Sequence, residues 1–277
     1  MHNAALAALG LNWRYLAFDV HPEDLRTAIA GAKAMKFIGL NLTLPHKLLA
    51  LEMVDALDES ARTWGAVNTI RFEAADTQGH WRPLAQLPGP VPESVRARGF
   101  NTDADALIQS LREDLEIDLR GAGVLLLGAG GAGRVAALKL RAEGVGALYL
   151  VNRTGTKAEQ LAREIHQTDP KQKVTVGYPT GAVDLVINAT SLGLNAEDPL
   201  PFDESKFPIG RARAAYDMIY HPAQSAFLKT AAAAGCRTAN GLGMLLYQGA
   251  QALELWTRQS APIEVMRGAL KQNIYGS

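Results

Sequence analysis

Apolar and polar positions follow two rhythms along this chain. In the second half, short strand-like runs, apolar at 124–127, 147–151 and 183–187 and β-branched at 173–176, alternate with stretches at 132–143 and 156–167 whose apolar residues recur at helical spacing. Strands alternating with helices in this way predict a parallel sheet covered on both faces. A further strand is expected at 214–220, then a helix opening at Pro222, and two closing helices at about 241–257 and 262–274, long enough to fold back on the first half. The first half predicts a helix at 3–10, a strand at 15–20, a helix at 22–34, a strand at 37–42, helical pieces near 46–54 and 58–63, and a strand at 65–70. Between Glu73 and Arg98 the periodicity fails among four prolines (83, 88, 90, 92), which reads as a surface insertion or mobile loop with a short strand near Trp81. Order resumes at 99–103, where Thr102 or Asp103 caps a helix running to about 116. The crossing at Leu119–Gly123 divides the chain into 1–118, joined by 242–277, and 119–241.

The stretch that organises the second half is Val124–Val135, an apolar run that ends in glycines at 128, 130 and 133 and passes into a helix. In a strand, turn and helix, G-x-G-x-x-G has a physical reason: one glycine makes the turn, one lets a pyrophosphate approach the backbone, and one lets helix pack on strand. The anion then faces free N–H groups at the positive end of the helix dipole. Such a match alone also fits a glycine-rich turn without a ligand. The end of the next strand narrows the choice. At Asn152-Arg153-Thr154, where an NAD site carries an acid for the ribose hydroxyls, there is none, and Arg153 with Asn152, Thr154 and Lys157 suits a 2′-phosphate. The cofactor indicated is NADP. The polar loop Asn188–Gly193, including Thr190 and Ser191, closes another strand at the edge where such sheets bind ligands.

Composition adds exclusions. The 277 residues carry 28 basic and 28 acidic side chains, so bulk charge favours neither nucleic acid nor an anionic membrane as partner. Zero net charge also leaves little self-repulsion, and a homodimer is compatible with it. One cysteine, Cys236, excludes an internal disulfide, and six histidines (2, 21, 46, 80, 166, 221) show no metal-ligand spacing, so no metal is expected. No signal segment and no apolar run of about 18 residues stands out, which points to the cytoplasm.

Polar junctions carry the candidate chemistry of the first half. Alternation through Asn41–Lys47 puts Asn41, Thr43 and Pro45 on one side, with Lys47 opening a helix, so an amide, a hydroxyl and an amine meet at one strand end. Asn68 and Thr69 close another strand. Asp103 at a helix start is equally a structural cap, Gln248 equally a helix-surface residue, and Tyr220 equally a strand-end aromatic.

Taken together, eight fragments in order resemble the shikimate dehydrogenase family: Asn41–Lys47, Gly65–Thr69, Asn101–Asp103, Gly128–Gly133, Asn152–Thr154, Asn188–Ser191, Tyr216–Tyr220 and Asn240–Gln248. The resemblance implies an N-terminal α/β substrate domain, a Rossmann-type doubly wound NADP domain, and a cleft between them where hydride passes. It implies reduction of 3-dehydroshikimate to shikimate in aromatic amino-acid biosynthesis. A Lys and an Asp facing the substrate hydroxyl fall on Lys47 and Asp103, and substrate contacts fall on Thr43, Asn68, Asp103, Tyr220 and Gln248. Cofactor contacts fall on Gly128, Ala129, Gly130, Gly131, Ala132, Gly133, Asn152, Arg153, Thr154, Lys157, Thr190, Ser191, Met218 and Gly241, with Glu59 as a further candidate. The chemistry accounts for the pair. Oxidising a secondary alcohol removes the hydroxyl proton as hydride leaves, and reduction returns it.

There are two departures. Family members begin with a strand and a Ser-x-Ser-Pro turn that grips the substrate carboxylate, and Met1 directly precedes the segment that follows that turn, so an upstream start is expected. A chain starting at Met1 would be feeble with shikimate, or unstable, while still binding NADP. The second is the long 73–98 connection, which would cover the site or meet a partner. Alternative readings are a paralogue acting on quinate or an aminoshikimate, and a non-catalytic shikimate- and NADP-binding regulatory module.

Overall fold

The computed structural model describes residues 1–43, 45–87, 89–90 and 92–276. The chain divides into two compact units, Met1–Asp103 with Leu246–Ser277, and Ala104–Leu245. These divisions fall at 103/104 and 245/246, where the sequence pattern suggests 118/119 and 241/242.

In order, the first unit contains α1 (His2–Ala8), a 3-10 turn at Pro22–Asp24, α2 (Leu25–Ala34), β1 (Gly39–Asn41), α3 (His46–Leu49), β2 (Ala56–Leu57), α4 (Glu59–Trp64), β3 (Thr69–Ala75), β4 (Trp81–Pro83) and β5 (Val95–Phe100). Its sheet runs β1-β3-β5-β2, with β4 on β3. Strand β3 pairs antiparallel with β1, β4 and β5, and β2 pairs parallel with β5. One face of β3 and β5 (Ile70, Phe72, Ala74, Val95, Ala97) packs on Leu25, Ile29 and Ala32 of α2.

The other face overturns the expectation of a loop at 73–98. Thr69, Arg71 and Glu73 alternate with the apolar set on β3, and Arg71 and Glu73 stand opposite Arg98 and Arg96 of β5. Arg71 and Glu73 are both buried. Glu73 takes ion pairs from Arg71 and Arg96, and the Arg96 guanidinium lies 4.2 Å over the Trp81 ring. A buried carboxylate held by two guanidiniums lets charged residues occupy an inner face. The charge pattern therefore imitates a surface segment. The short strand near Trp81 is present as β4. The strand expected at 65–70 begins instead at Thr69, because Gly65 takes a left-handed conformation as the C-cap of α4.

The strand expected at 15–20 does not form. The Tyr15 N–H donates to the Asn3 side chain and its carbonyl accepts from it, and the Val20 carbonyl pairs with the His46 ring, so side chains replace a ladder partner. Leu16 and Phe18 remain exposed.

Helix α5 (Asp103–Leu115) leads into the second unit: β6 (Gly123–Leu127), α6 (Gly131–Ala142), β7 (Ala147–Val151), α7 (Gly155–Thr168), β8 (Lys173–Val176), β9 (Val183–Asn188), β10 (Ala212–Asp217), α8 (Ala226–Ala233) and β11 (Arg237–Asn240). All six strands are parallel, in the order β11-β10-β9-β6-β7-β8. This is the doubly wound arrangement, with its switch point between β6 and β9. Val124–Leu127 are completely buried, worth about 1.5–3 kcal/mol per large aliphatic side chain. Two expectations shift here. Strand β10 stops at Asp217, and α8 opens after Ser225, which caps it, rather than at Pro222. Strand β11, between Gly235 and Gly241, shows too short an apolar run to be read from the pattern. The single cysteine, Cys236, is buried beside the Ile209 and Ala212 carbonyls.

Helix α9 (Leu242–Thr257) runs back into the first unit, where α10 (Ile263–Tyr275) packs on α1. No described helix is long and apolar enough to cross a membrane.

Candidate active site

In the first unit three chain segments converge. Lys47 lies on α3, immediately after the β1 junction; Asn68 precedes β3; Thr102 and Asp103 lead into α5. The Lys47 Nζ donates to Asp103 Oδ2 at 2.7 Å, with 26% and 11% of the two side chains exposed. The ammonium thus has one proton on the carboxylate and remains partly open to a ligand. Asn68, 1% exposed, donates through Nδ2 to Asp103 Oδ1 and to Thr102 Oγ1, each at 2.9 Å, and lies 3.4 Å from Gln248 Oε1. Its Oδ1 accepts from the Thr102 N–H (2.9 Å) and from Thr69 Oγ1 (3.1 Å). Thr102 Oγ1 donates to the Gln248 carbonyl of α9 at 3.0 Å. Every hydrogen-bonding position of the Asn68 amide is engaged, so its orientation, and with it that of Asp103, is set before anything binds.

Of the candidate substrate residues, Asn68, Asp103 and Gln248 are therefore gathered around Lys47. Thr43 is exposed in the junction before α3, where its carbonyl accepts the His46 N–H. Tyr220, 39% exposed, belongs to the second unit, just past β10. Thr69 and Thr102 complete the cluster without having been singled out as site residues; their proximity to Asn68 and Asp103 in sequence was the available signal.

The second unit presents a different kind of site. Gly128 has φ +109°, and a Cβ there would lie 2.9 Å from the Ala189 carbonyl oxygen; one on Gly133 would lie 2.1 Å from the Gly128 oxygen. These two glycines pack the β6 turn against the β9 loop and against helix α6. Gly130 and Gly131 differ, having no atom within 4 Å of where a Cβ would stand. Gly130 is the N-cap of α6 and supplies no capping side chain, so the first-turn N–H groups of α6 take no side-chain cap. An uncapped helix start with room against its backbone fits a pyrophosphate. The Ala129 N–H donates to Asn152 Oδ1 at 2.9 Å, tying this turn to the end of β7. There, Thr154 also begins a helix, α7, without a side-chain cap, and Arg153, Thr154 and Lys157 are exposed. Among the described residues neither Arg153 nor Lys157 has an acidic partner, so both remain available to a 2′-phosphate.

At the far side of the switch point, Asn188 is completely buried and its Oδ1 accepts from the Thr190 N–H and hydroxyl. Its Nδ2 donates to Asp217, which also accepts from Ser225 Oγ and the Ile219 N–H. Burial pushes the Asp217 carboxyl up from its ordinary range. This network shapes the loop bearing Thr190 and the exposed Ser191; Asn188 and Asp217 fall within the sequence fragments that carry the resemblance but without a site role there, and Ser225 lies outside them. Met218 and Gly241 pack together: a Cβ on Gly241 would lie 2.2 Å from the Met218 oxygen. Glu59 is exposed in the first turn of α4, in the first unit. No group of three or more His, Cys, Asp or Glu among the described residues is arranged to hold a metal.

Three family profiles match: the shikimate dehydrogenase substrate binding domain over residues 1–70, shikimate/quinate 5-dehydrogenase over 110–194, and the shikimate 5′-dehydrogenase C-terminal domain over 241–271. The shikimate dehydrogenase (NADP(+)) of Methanopyrus kandleri is 37% identical over 281 residues, covering 99% of this chain and 90% of the relative. Among solved structures, a shikimate dehydrogenase in complex with NADP+ is similar at TM-score 0.82 and 34% identity, covering 99% of this chain and 89% of the other. The Thermus thermophilus shikimate 5-dehydrogenase in complex with NADP(H) and shikimate is similar at TM-score 0.79 and 34% identity, covering 98% and 92%. A 5-ketofructose reductase of a Gluconobacter species is similar at TM-score 0.78 and 32% identity, covering 98% and 91%.

Proposed function

This chain belongs to the shikimate dehydrogenase family, and from that premise we propose that it reduces 3-dehydroshikimate to shikimate with NADPH. The observation that carries the reading is the Lys47–Asp103 pair, joined at 2.7 Å and left partly open in a cluster whose other polar groups are saturated by one another. When bound, the nicotinamide supplies or takes up the hydride. The chain's own residues handle the proton. In reduction the Lys47 ammonium donates to the oxygen that gains charge at the substrate carbonyl; in oxidation the neutral amine takes the hydroxyl proton back. Asp103 holds Lys47 in place and accepts a hydrogen bond from the substrate hydroxyl, while Asn68 holds Asp103. Because Asn68 is fully engaged, a substrate hydroxyl bonding to it exchanges with one of its present partners. Thr43, Gln248 and Tyr220 are assigned to the rest of the substrate.

In the second unit we assign the pyrophosphate to the Gly128–Gly133 turn and the 2′-phosphate to Asn152, Arg153, Thr154 and Lys157. Thr190, Ser191, Met218 and Gly241 belong to the remainder of the nucleotide, and Glu59 has the weakest claim because it lies in the first unit. The test follows NADPH absorbance in the reduction of 3-dehydroshikimate and of 5-ketofructose, and its formation in the oxidation of shikimate and quinate, running NADP(H) beside NAD(H). Turnover with 3-dehydroshikimate and NADPH above all other pairs is expected. NADPH binding without turnover on 3-dehydroshikimate refutes the assignment.

A further inference from the structure

Asp103 is the end of a line of hydrogen bonds that begins outside the catalytic cluster. Tyr15 donates its hydroxyl proton to Asn41 Oδ1 at 3.0 Å; Asn41 Nδ2 donates to Thr69 Oγ1 at 3.0 Å; Thr69 donates to Asn68 Oδ1 at 3.1 Å; Asn68 donates to Asp103 Oδ1 at 2.9 Å. The direction of each link follows from the next. An ionised carboxylate only accepts, so Asn68 turns its amino end to Asp103 and its carbonyl to Thr69. Thr69, having donated its one proton, accepts from Asn41, whose carbonyl then needs a donor. Tyr15 is that donor. All four dipoles point their positive ends toward Asp103, the arrangement in which successive hydrogen bonds polarise and strengthen one another.

Tyr15 is held with more care than its surroundings. It lies in a segment without regular structure, flanked by the exposed Leu16 and Phe18. Yet its ring stacks on His2 at 4.2 Å and 10°, and lies 6.3 Å from the Trp256 ring, while Asn3 clamps its N–H and carbonyl at 2.7 and 2.9 Å. His2 is itself fixed by the Gly249 carbonyl at 3.1 Å, one residue past Gln248. A phenol is a proton donor at neutral pH, and burial raises that of Tyr15 further above its ordinary range.

We propose that Tyr15 is a positioning residue for the reaction, acting through Asn41, Thr69 and Asn68 to hold the Asp103 carboxylate oriented toward Lys47 and the substrate. This rests on the reading of Lys47 and Asp103 as the reacting pair. Asn41 and Thr69 are relays in the same sense, touching neither Lys47 nor Asp103 themselves.

The experiment compares Tyr15→Phe, which keeps the ring and its stack on His2 but removes the donor, with Thr69→Val and Thr69→Ser, in shikimate oxidation by NADP+. Tyr15→Phe is expected to lower kcat/KM for shikimate about five-fold, the worth of one modest hydrogen bond, with KM for NADP+ and the thermal midpoint unchanged. Thr69→Val cuts the line nearer the site and lowers it about ten-fold or more; Thr69→Ser keeps a hydroxyl and returns it to within about two-fold of the parent. In an Asp103→Asn background, assayed at high enzyme concentration, Tyr15→Phe has no further effect, because the carboxylate it serves is gone. An unchanged kcat/KM in Tyr15→Phe, the same five-fold loss in the Asp103→Asn background, or a Thr69→Ser variant as slow as Thr69→Val overturns the proposal. Lys47→Ala, run alongside, separates this from the underlying reading. Turnover surviving there removes the reacting pair, whereas a silent Tyr15→Phe beside an inactive Lys47→Ala removes the relay alone.

Discussion

The two units solve the problem of building a site in opposite ways. In the first, long-range side chains satisfy one another: Lys47, Asn68, Thr102 and Asp103 come from three segments and form a closed network before a ligand arrives. In the second, the site is made by leaving things out. Gly130 and Gly131 have open space where side chains would be, and neither α6 nor α7 receives a side-chain cap. On the proposed function the difference follows from what each would recognise. Proton transfer requires one or two groups at defined positions, which a saturated network holds still. A diphosphate is large and anionic, and unpaired backbone N–H groups with room beside them suit it better than any single side chain.

The contrast between the units can be broken most sharply at Lys47. Lys47→Ala is expected to reduce kcat by about 10³-fold, the range of a general acid–base group, with NADPH affinity unchanged; the readout is NADPH absorbance together with a binding titration. A comparable loss of NADPH binding would deny that the two sites are built independently.

Next come the glycines, which divide the second site into packing and open space. Gly133→Ala forces a Cβ to within 2.1 Å of the Gly128 oxygen, and overpacking against backbone should cost about 3 kcal/mol or more, visible in thermal or denaturant unfolding. Gly130→Ala, with open space and an extended backbone, should leave stability unchanged while raising the Kd for NADPH more than about ten-fold, through interference with the anion alone.

A pH titration of stability tests how tightly the first unit is closed. Burial lowers the His2 pKa from 6.5 to about 4, and the Gly249 carbonyl opposes this only in part. With its pKa so lowered His2 is neutral at neutral pH, and since its partner is a carbonyl it carries its proton on Nε2. With the folded value depressed, the unfolded chain binds the extra proton first. The stabilisation is complete above pH 6.5, declines as the pH falls toward 4, and amounts to roughly 3 kcal/mol across that window. His2→Phe should flatten this part of the profile, measured by urea unfolding at a series of pH values. An unchanged slope in the variant would assign the loss to other groups.

A smaller effect sharpens cofactor choice. Arg153→Ala should weaken NADPH binding about ten-fold, one charge-assisted contact, and leave NADH binding as it was. Equal weakening of both would place Arg153 away from the 2′-phosphate.

Legibility in the sequence followed the source of each signal. Strands β6 and β9 cover the apolar runs at 124–127 and 183–187, since in a parallel sheet buried on both faces almost every strand position is apolar. Strands β3 and β5 were obscured for the opposite reason: Arg71, Glu73, Arg96 and Arg98 stand where apolar residues would be expected, and the pairing of Arg71 and Arg96 with Glu73 and of Arg98 with Asp58 lets them be buried or half-buried. The 15–20 segment misled in the other direction, since its apolar run reads as a strand while its backbone groups at Tyr15 and Val20 bond to side chains.

What the sequence by itself determined is whatever acts locally: the glycine turn, the doubly wound order of strands and helices, the missing acid and the basic residues after β7, and the motifs that carried the family resemblance. What only the tertiary structure decided is partnership at a distance. Lys47 and Asp103 are 56 residues apart and Tyr15 and Asn41 26 apart, and no periodicity encodes which donor meets which acceptor. A hydrogen bond depends on geometry within a few tenths of an ångström, and that geometry exists only once burial of the core has brought the segments together.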